Sequence, residues 1–163
     1  MDLIINKSQD IGKKKHFEFV YNPPTDLLSF CCHVPTDQAK ITGSYTLNDD
    51  DSISLYLIVN LPMRWFCDRC GDSFEKNYYF EYTDDILPEP SEDHYNYEDN
   101  ILSLDHIVDE QIVLNIPNRV LCQPNCAGIC PICGNNRNYN HCDCEQKQNN
   151  PKNPFAEIKD KLN

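Results

Sequence analysis

Eight of the ten cysteines fall into four close pairs: Cys67-x-x-Cys70, Cys122-x-x-x-Cys126, Cys130-x-x-Cys133 and Cys142-x-Cys144. The last three pairs place six thiols within 23 residues, in a stretch opened by turn formers and poor in core-forming side chains. Packing does not explain that density. A CxxC turn presents two sulfurs to one ion, and its backbone N–H groups solvate the thiolates; zinc takes four such ligands in a tetrahedron. Eight paired cysteines are the number needed for two four-thiolate zinc sites. Iron is the competing metal, because Cys67-x-x-Cys70-Gly71 and Cys130-Pro131-x-Cys133-Gly134 are knuckles of the kind that also hold iron in rubredoxin-like sites. The arrangement of the remaining cysteines favours zinc.

Disulfides are the alternative use of clustered thiols, and they persist in oxidising compartments. The N-terminal Met1-Asp2-Leu3-Ile4-Ile5-Asn6-Lys7 lacks the charged and apolar regions of a signal peptide. A cytoplasmic chain with reduced, metal-binding thiols is therefore expected. Four pairs divide between two ions in three ways, which spacing leaves open. Loop-closure entropy favours the sequence-local set Cys130, Cys133, Cys142 and Cys144 for one ion, with Cys67, Cys70, Cys122 and Cys126 for the other. The remaining two, Cys31 and Cys32, are adjacent and read as buried free cysteines.

Enzyme chemistry finds little support. No phosphate loop, Ser/His/Asp set or HExxH-like motif occurs. Catalytic zinc keeps an open position and commonly uses histidine, whereas four thiolates close the shell. A non-enzymatic binding protein is expected, with no small-molecule substrate, and a CxxC thiol redox protein or rubredoxin-like carrier is the alternative. The formal charge of −12 is concentrated: residues 77–118 hold 11 acidic side chains and no Lys or Arg. Such a face repels phosphate backbones and suits a basic protein partner. RNA contact, if any, would fall to Arg64, Arg69, Arg119, Arg137 and the C-terminal lysines. No apolar run has the length of a membrane span.

The elements that must position the thiols are mostly strands. Asp2–Asn6, His16–Tyr21 and Leu27–Val34 read as apolar or alternating runs, with Lys13-Lys14-Lys15 in a solvated loop. Ala39–Leu47 and Ile53–Leu61 alternate on either side of Asn48-Asp49-Asp50-Asp51, which supplies turn chemistry for a hairpin. Pro62 is expected to end the second strand, and Trp65 to pack against the first knuckle. Phe74–Tyr82 leaves that knuckle as a further strand, and residues 84–100 read as a mobile acidic loop. Ser103 is the expected N-cap of a helix carrying Leu104, Ile107, Val108 and Ile112 on one face, closed by Pro117. Asn153-Pro154 opens a short terminal helix, Pro154–Leu162. The expected fold is α+β: an antiparallel β-sheet or partly closed barrel with one or two helices and a C-terminal cysteine-rich zinc module. Its parts are residues 1–121 (strands, knuckle, acidic loop and helix), 122–144 (zinc module) and 145–163 (linker and helix).

In this order, Cys67, Arg69 and Cys70, then Cys122, Cys126, Gly128, Cys130, Pro131, Cys133, Gly134, Asn136, Cys142 and Cys144, the chain resembles the YceD family. Asn153-Pro154-Phe155-Ala156 is similar to the tail of some members. The family comprises bacterial and plastid proteins linked to accumulation of large-subunit ribosomal RNA. The resemblance implies a non-enzymatic role in large ribosomal subunit biogenesis, with a basic ribosomal protein or a pre-large-subunit particle as partner and ribosomal RNA reached indirectly or weakly.

Overall fold

The computed structural model describes residues 1–31, 33–91 and 94–144. The expectations for Cys32 and for the linker and terminal helix of residues 145–163 lie outside them. Among the described residues, seven strands and two helices follow in the order β1 (Asp2–Ile4), α1 (Lys7–Asp10), β2 (Lys14–Tyr21), β3 (Val34–Pro35), β4 (Ala39–Leu47), β5 (Ile53–Phe66), β6 (Ser73–Ile86), β7 (Ile101–Ser103) and α2 (Asp105–Asn115).

The architecture is an open, antiparallel five-stranded sheet. β2, β4, β5 and β6 lie side by side, and the short β3 continues along the β4 side of β5. The alternative of a partly closed barrel is not realised. β5 organises the sheet because its alternation is nearly complete: Ile53, Leu55, Leu57, Val59, Leu61, Met63 and Trp65 are all buried, while their neighbours face outward. Against that row pack Ile41 and Leu47 of β4, Tyr78, Phe80 and Ile86 of β6, and Ile107, Val108 and Ile112 of α2. A separate two-stranded ribbon, β1 with β7, buries Leu3 and Leu102 in the same core.

Several sequence expectations are corrected. Pro62 does not end β5, which runs on to Phe66. A strand residue directs its N–H and C=O to the same side, and the Pro62 carbonyl accepts from Thr36 N at 2.9 Å, just where β4 has ended and β3 has barely begun. The missing N–H thus faces Thr36 at the end of β3, where at most one bond is lost, while the β6 side of β5 pairs without interruption. Leu27–Val34 is not a strand: Leu27 N, Ser29 N and Cys31 N each donate to the carbonyl three residues back, forming successive turns, and only Val34–Pro35 pairs. Cys31, expected to be buried, is only half-buried in the last of those turns. Lys14 and Lys15 belong to β2, and Lys15 reaches the buried Asp10 carboxylate at 2.5 Å.

Ser103 lies in β7 and does not cap α2. The N-cap is Leu104, whose N–H is taken by Met1 O at 2.8 Å and whose side chain is fully buried, so ribbon pairing and burial override capping preference. The described residues of 84–91 and 94–100 are more tied down than a mobile acidic loop requires. Asp84–Ile86 complete β6, Leu87 N and Tyr97 N bond across to Tyr95 O and Leu87 O, and buried Tyr97 donates its hydroxyl to Asp51 O at 2.7 Å. Trp65 turns away from the knuckle into the sheet core, between His33 and Tyr78, and donates its indole N–H to Lys76 O.

Candidate metal centre

β5 and β6 form a 14-residue antiparallel pair, and the first knuckle is the turn at its far end. Phe66 and Ser73 close the ladder; Cys67 and Cys70 lie in the six residues between them. Cys67 N donates to Asp72 O at 2.9 Å, and Gly71 N donates back to Cys67 O at 2.8 Å. Cys130-Pro131-Ile132-Cys133 repeats both bonds: Cys130 N to Asn135 O at 2.8 Å, Gly134 N to Cys130 O at 2.9 Å. Both turns need a left-handed residue after the second cysteine. Gly71 and Gly134 supply it, each at φ +74°, a region costly for residues with a Cβ.

Two sets of four sulfurs result, Cys67, Cys70, Cys122 and Cys126 in one, and Cys130, Cys133, Cys142 and Cys144 in the other, with all ligand atoms of a set within 4.8 Å of one another. This is the division that loop-closure entropy favours. All eight are free thiols. Cys67 Sγ lies 3.7 Å from Cys126 Sγ, and Cys70 Sγ 3.7 Å from Cys122 Sγ. A tetrahedron of sulfurs around zinc, with bonds of about 2.3 Å, has edges of about 3.8 Å. The donor set and its spacing therefore fit a four-thiolate metal, and two such ions can be held. The first set is the more enclosed: Cys67, Cys70 and Cys126 are buried under Phe74 and Leu121, whereas in the second only Cys130 is buried and Cys133 is exposed.

The electrostatics divide the thiols. At Cys67 burial opposes the thiolate, but backbone N–H groups of Cys122, Arg69 and Cys70 aimed at the sulfur outweigh it and bring the pKa down to about 6. Cys130 also falls to about 6, through the N–H groups of Cys133 and Ile132, with the Arg137 side chain adding to them. In each set a later thiol is pushed the other way. Cys70 rises to about 12, chiefly by burial, and Cys144 rises to about 12, chiefly through its hydrogen bond with Cys133. The knuckle N–H groups solvate one charge; further thiolates need a cation to offset their mutual repulsion.

The two sets interlock. Asp68 N donates to Val120 O at 2.9 Å, and Val120 N returns a bond to the Asp68 carboxylate. Arg69 Nη1 donates to Cys126 O at 3.0 Å, and Ile129 N to Arg69 O at 3.1 Å. A Cβ on Gly128 (φ +73°) would come within 3.1 Å of Arg69 O. From the loop between Cys133 and Cys142, Asn136 Nδ2 reaches Asp72 at 2.8 Å, Arg137 Nη2 reaches Cys130 Sγ at 3.7 Å, and Asn138 Nδ2 reaches Cys126 Sγ at 3.3 Å.

Asn138 is the residue that sequence reasoning missed; its only signal was an Asn-rich run between cysteine pairs. Of the arginines expected to remain for RNA, Arg64 pairs with Glu75 at 3.1 Å, and Arg69 and Arg137 serve the cysteine sets; Arg119 is exposed.

In the acidic segment, tyrosine hydroxyls hold four of the carboxylates: Tyr79 and Tyr56 donate to Glu81, Tyr82 to Asp84, Tyr95 to Glu110 and Tyr21 to Asp109, at 2.6–2.9 Å. Such bonds orient the carboxylates without neutralising them. No helix among the described residues is long and apolar enough to cross a membrane.

A family model described as Large ribosomal RNA subunit accumulation protein YceD matches residues 55–160, from within β5 through all eight paired cysteines. Comparison with curated proteins and with solved structures gives no match. With well over half of its length matched, the chain belongs to the YceD family.

Proposed function

We propose that this chain is a non-enzymatic zinc-binding factor of large ribosomal subunit biogenesis, acting in the cytoplasm on a basic ribosomal protein or a pre-large-subunit particle. The observation that carries the reading is the pair of four-sulfur sets, Cys67/Cys70/Cys122/Cys126 and Cys130/Cys133/Cys142/Cys144. Four thiolates fill a tetrahedral shell, so the ion gains no position for a substrate or an activated water and serves to hold structure. The knuckle N–H groups, and the closure of the first set under Phe74 and Leu121, support that structural role.

The family supplies the setting, accumulation of the large ribosomal subunit RNA, and the charge supplies the kind of partner. Residues 77–118 carry no Lys or Arg, and tyrosines orient four of their carboxylates, Glu81, Asp84, Asp109 and Glu110. Arg69 and Arg137 are engaged with the cysteine sets, and Arg64 is paired at the surface with Glu75. Ribosomal RNA is therefore reached through a protein partner, or weakly.

Metal analysis with an absorption spectrum, together with co-sedimentation on ribosomal gradients, tests this. A colourless chain with two zinc ions that travels with pre-large-subunit particles supports it. A red, iron-containing chain that sediments free of ribosomal particles replaces it with an electron carrier.

A further inference from the structure

Consecutive residues of one loop touch one sulfur in each cysteine set. Arg137 Nη2 lies 3.7 Å from Cys130 Sγ of the second set, and Asn138 Nδ2 lies 3.3 Å from Cys126 Sγ of the first. The orientation of the Asn138 carboxamide follows from its neighbours. Ala127 N, which can only donate, lies 2.8 Å from one end of the amide, and Gln123 Nε2 lies 3.2 Å from the same end, so that end is the oxygen. The amide nitrogen then faces Cys126 Sγ and, at 2.8 Å, Asn136 Oδ1. Asn136 is fixed in turn by Asp72, beside the first knuckle. The loop carrying all three residues is bounded by Cys133 and Cys142, both members of the second set. Its path is therefore closed by whatever joins those two sulfurs, whereas its Asn136 and Asn138 donors serve the side of the other set.

We infer that Asn138 is a positioning residue that couples the two centres. A metal in the Cys130/Cys133/Cys142/Cys144 set closes the loop and thereby presents the Asn138 N–H to the Cys126 thiolate, so the sites fill cooperatively. This rests on reading both sets as metal centres. An N–H donor stabilises a thiolate ligand, and groups that hydrogen-bond metal ligands commonly set metal affinity by about 10–100-fold. The coupling is reciprocal, so an ion in the first set also tightens the second. The Arg137 side chain contacts a sulfur of the second set itself, Cys130 Sγ.

The test uses the full chain titrated with cadmium(II), with cadmium NMR to report each site separately and a competing chelator to measure affinities. Emptying the second site by Cys142→Ser with Cys144→Ser lowers first-site affinity by at least about tenfold. Asn138→Asp keeps the oxygen that accepts from Ala127 N and removes the amide donor; it lowers first-site affinity similarly and moves the first-site resonance. In that background, emptying the second site causes no further loss. Asn138→Ala, which removes the donor without adding charge, acts in the same direction. The coupling is overturned if the first site binds with wild-type affinity when the second is empty, or if both Asn138 variants leave its resonance unmoved. Absence of any bound cadmium overturns the metal reading and the coupling together; two independent sites overturn the coupling alone.

Discussion

Cys67 Sγ and Cys126 Sγ, 59 positions apart in sequence, stand 3.7 Å from each other at the end of the long β5–β6 pair. An ion joining them cross-links the sheet to the cysteine-rich segment. Closing a loop of that length in the unfolded chain removes conformational entropy equivalent to about 4 kcal/mol, reasoning as for a disulfide. Chelation should therefore lower the thermal midpoint of the whole chain by about 10 °C, and near-ultraviolet signals of the sheet should melt with it. A midpoint unchanged after verified metal removal would show that the sheet stands without the cross-link.

The division of the cysteines has its own test. Cys67→Ser with Cys70→Ser should remove one of two metal equivalents and leave Cys130 and Cys133 protected from alkylation, because the second set draws its ligands from residues 130–144 only. Mass mapping of the alkylated peptides reads this directly. Labelling of Cys130 and Cys133 in that variant would mean that the two knuckles share an ion.

Gly43 sits in β4 opposite Leu57, at a point where the strands and β2 leave no room for a side chain. A Cβ there would lie 2.2 Å from Tyr56 O and 2.7 Å from the Phe17 ring. Backbone on one side and an aromatic ring on the other cannot both retreat cheaply. Gly43→Ala should cost about 1–3 kcal/mol, as overpacking of a core does, read as a lower urea midpoint with unchanged metal content. Wild-type stability would mean that β2 can shift to admit the methyl group.

What could be read beforehand follows the strength of the local signal. The β4–β5 hairpin was legible because five alternating apolar residues, Ile53 to Leu61, leave a single register that buries them all. The Asp2–Asn6 run was legible as a strand, but its partner β7 was not, since three residues carry no period, and their pairing displaced the expected Ser103 cap. Pro62 misled because a proline disturbs a sheet only where its missing N–H is needed, which depends on where a neighbouring strand ends. The two cysteine sets were foreseeable from spacing and loop length, yet spacing is silent on the side chains that hold the sulfurs. Asn138 became visible only with Cys126 and Ala127 around it.

Asp10 is buried although its element is a single helical turn. Its carboxylate accepts Lys15 Nζ at 2.5 Å and Asn6 N at 3.0 Å. The Lys15 bond first, and then the Asn6 N–H, hold its pKa below the ordinary carboxylate value. A depressed folded-state pKa stabilises the fold above the unfolded value, about 3.9, and the contribution fades as pH falls through the lower folded value. Asp10→Asn should accordingly lower the thermal midpoint at neutral pH, with the gap to wild type narrowing below about pH 4. A gap independent of pH would assign the loss to packing instead of charge.

The carboxylates of residues 77–118 offer the last prediction. Glu81, Asp84, Asp109 and Glu110 are oriented by tyrosine hydroxyls, which leave their charge intact. Their field extends over about 8 Å at physiological salt, far enough to steer a basic partner and to repel bare RNA. Glu89, Glu98 and Asp99 lie on exposed parts of the same segment; Glu92 and Asp93 belong to it in sequence but lie outside the described residues. Converting all five to amides should slow association with pre-large-subunit particles about tenfold or more and flatten its dependence on salt, because steering acts mainly on the on-rate. The dissociation rate should change less. Stopped-flow association at several ionic strengths measures both rates. Tight binding to protein-free ribosomal RNA that survives these substitutions would place the recognition surface elsewhere, with Arg119 the first exposed cation to replace.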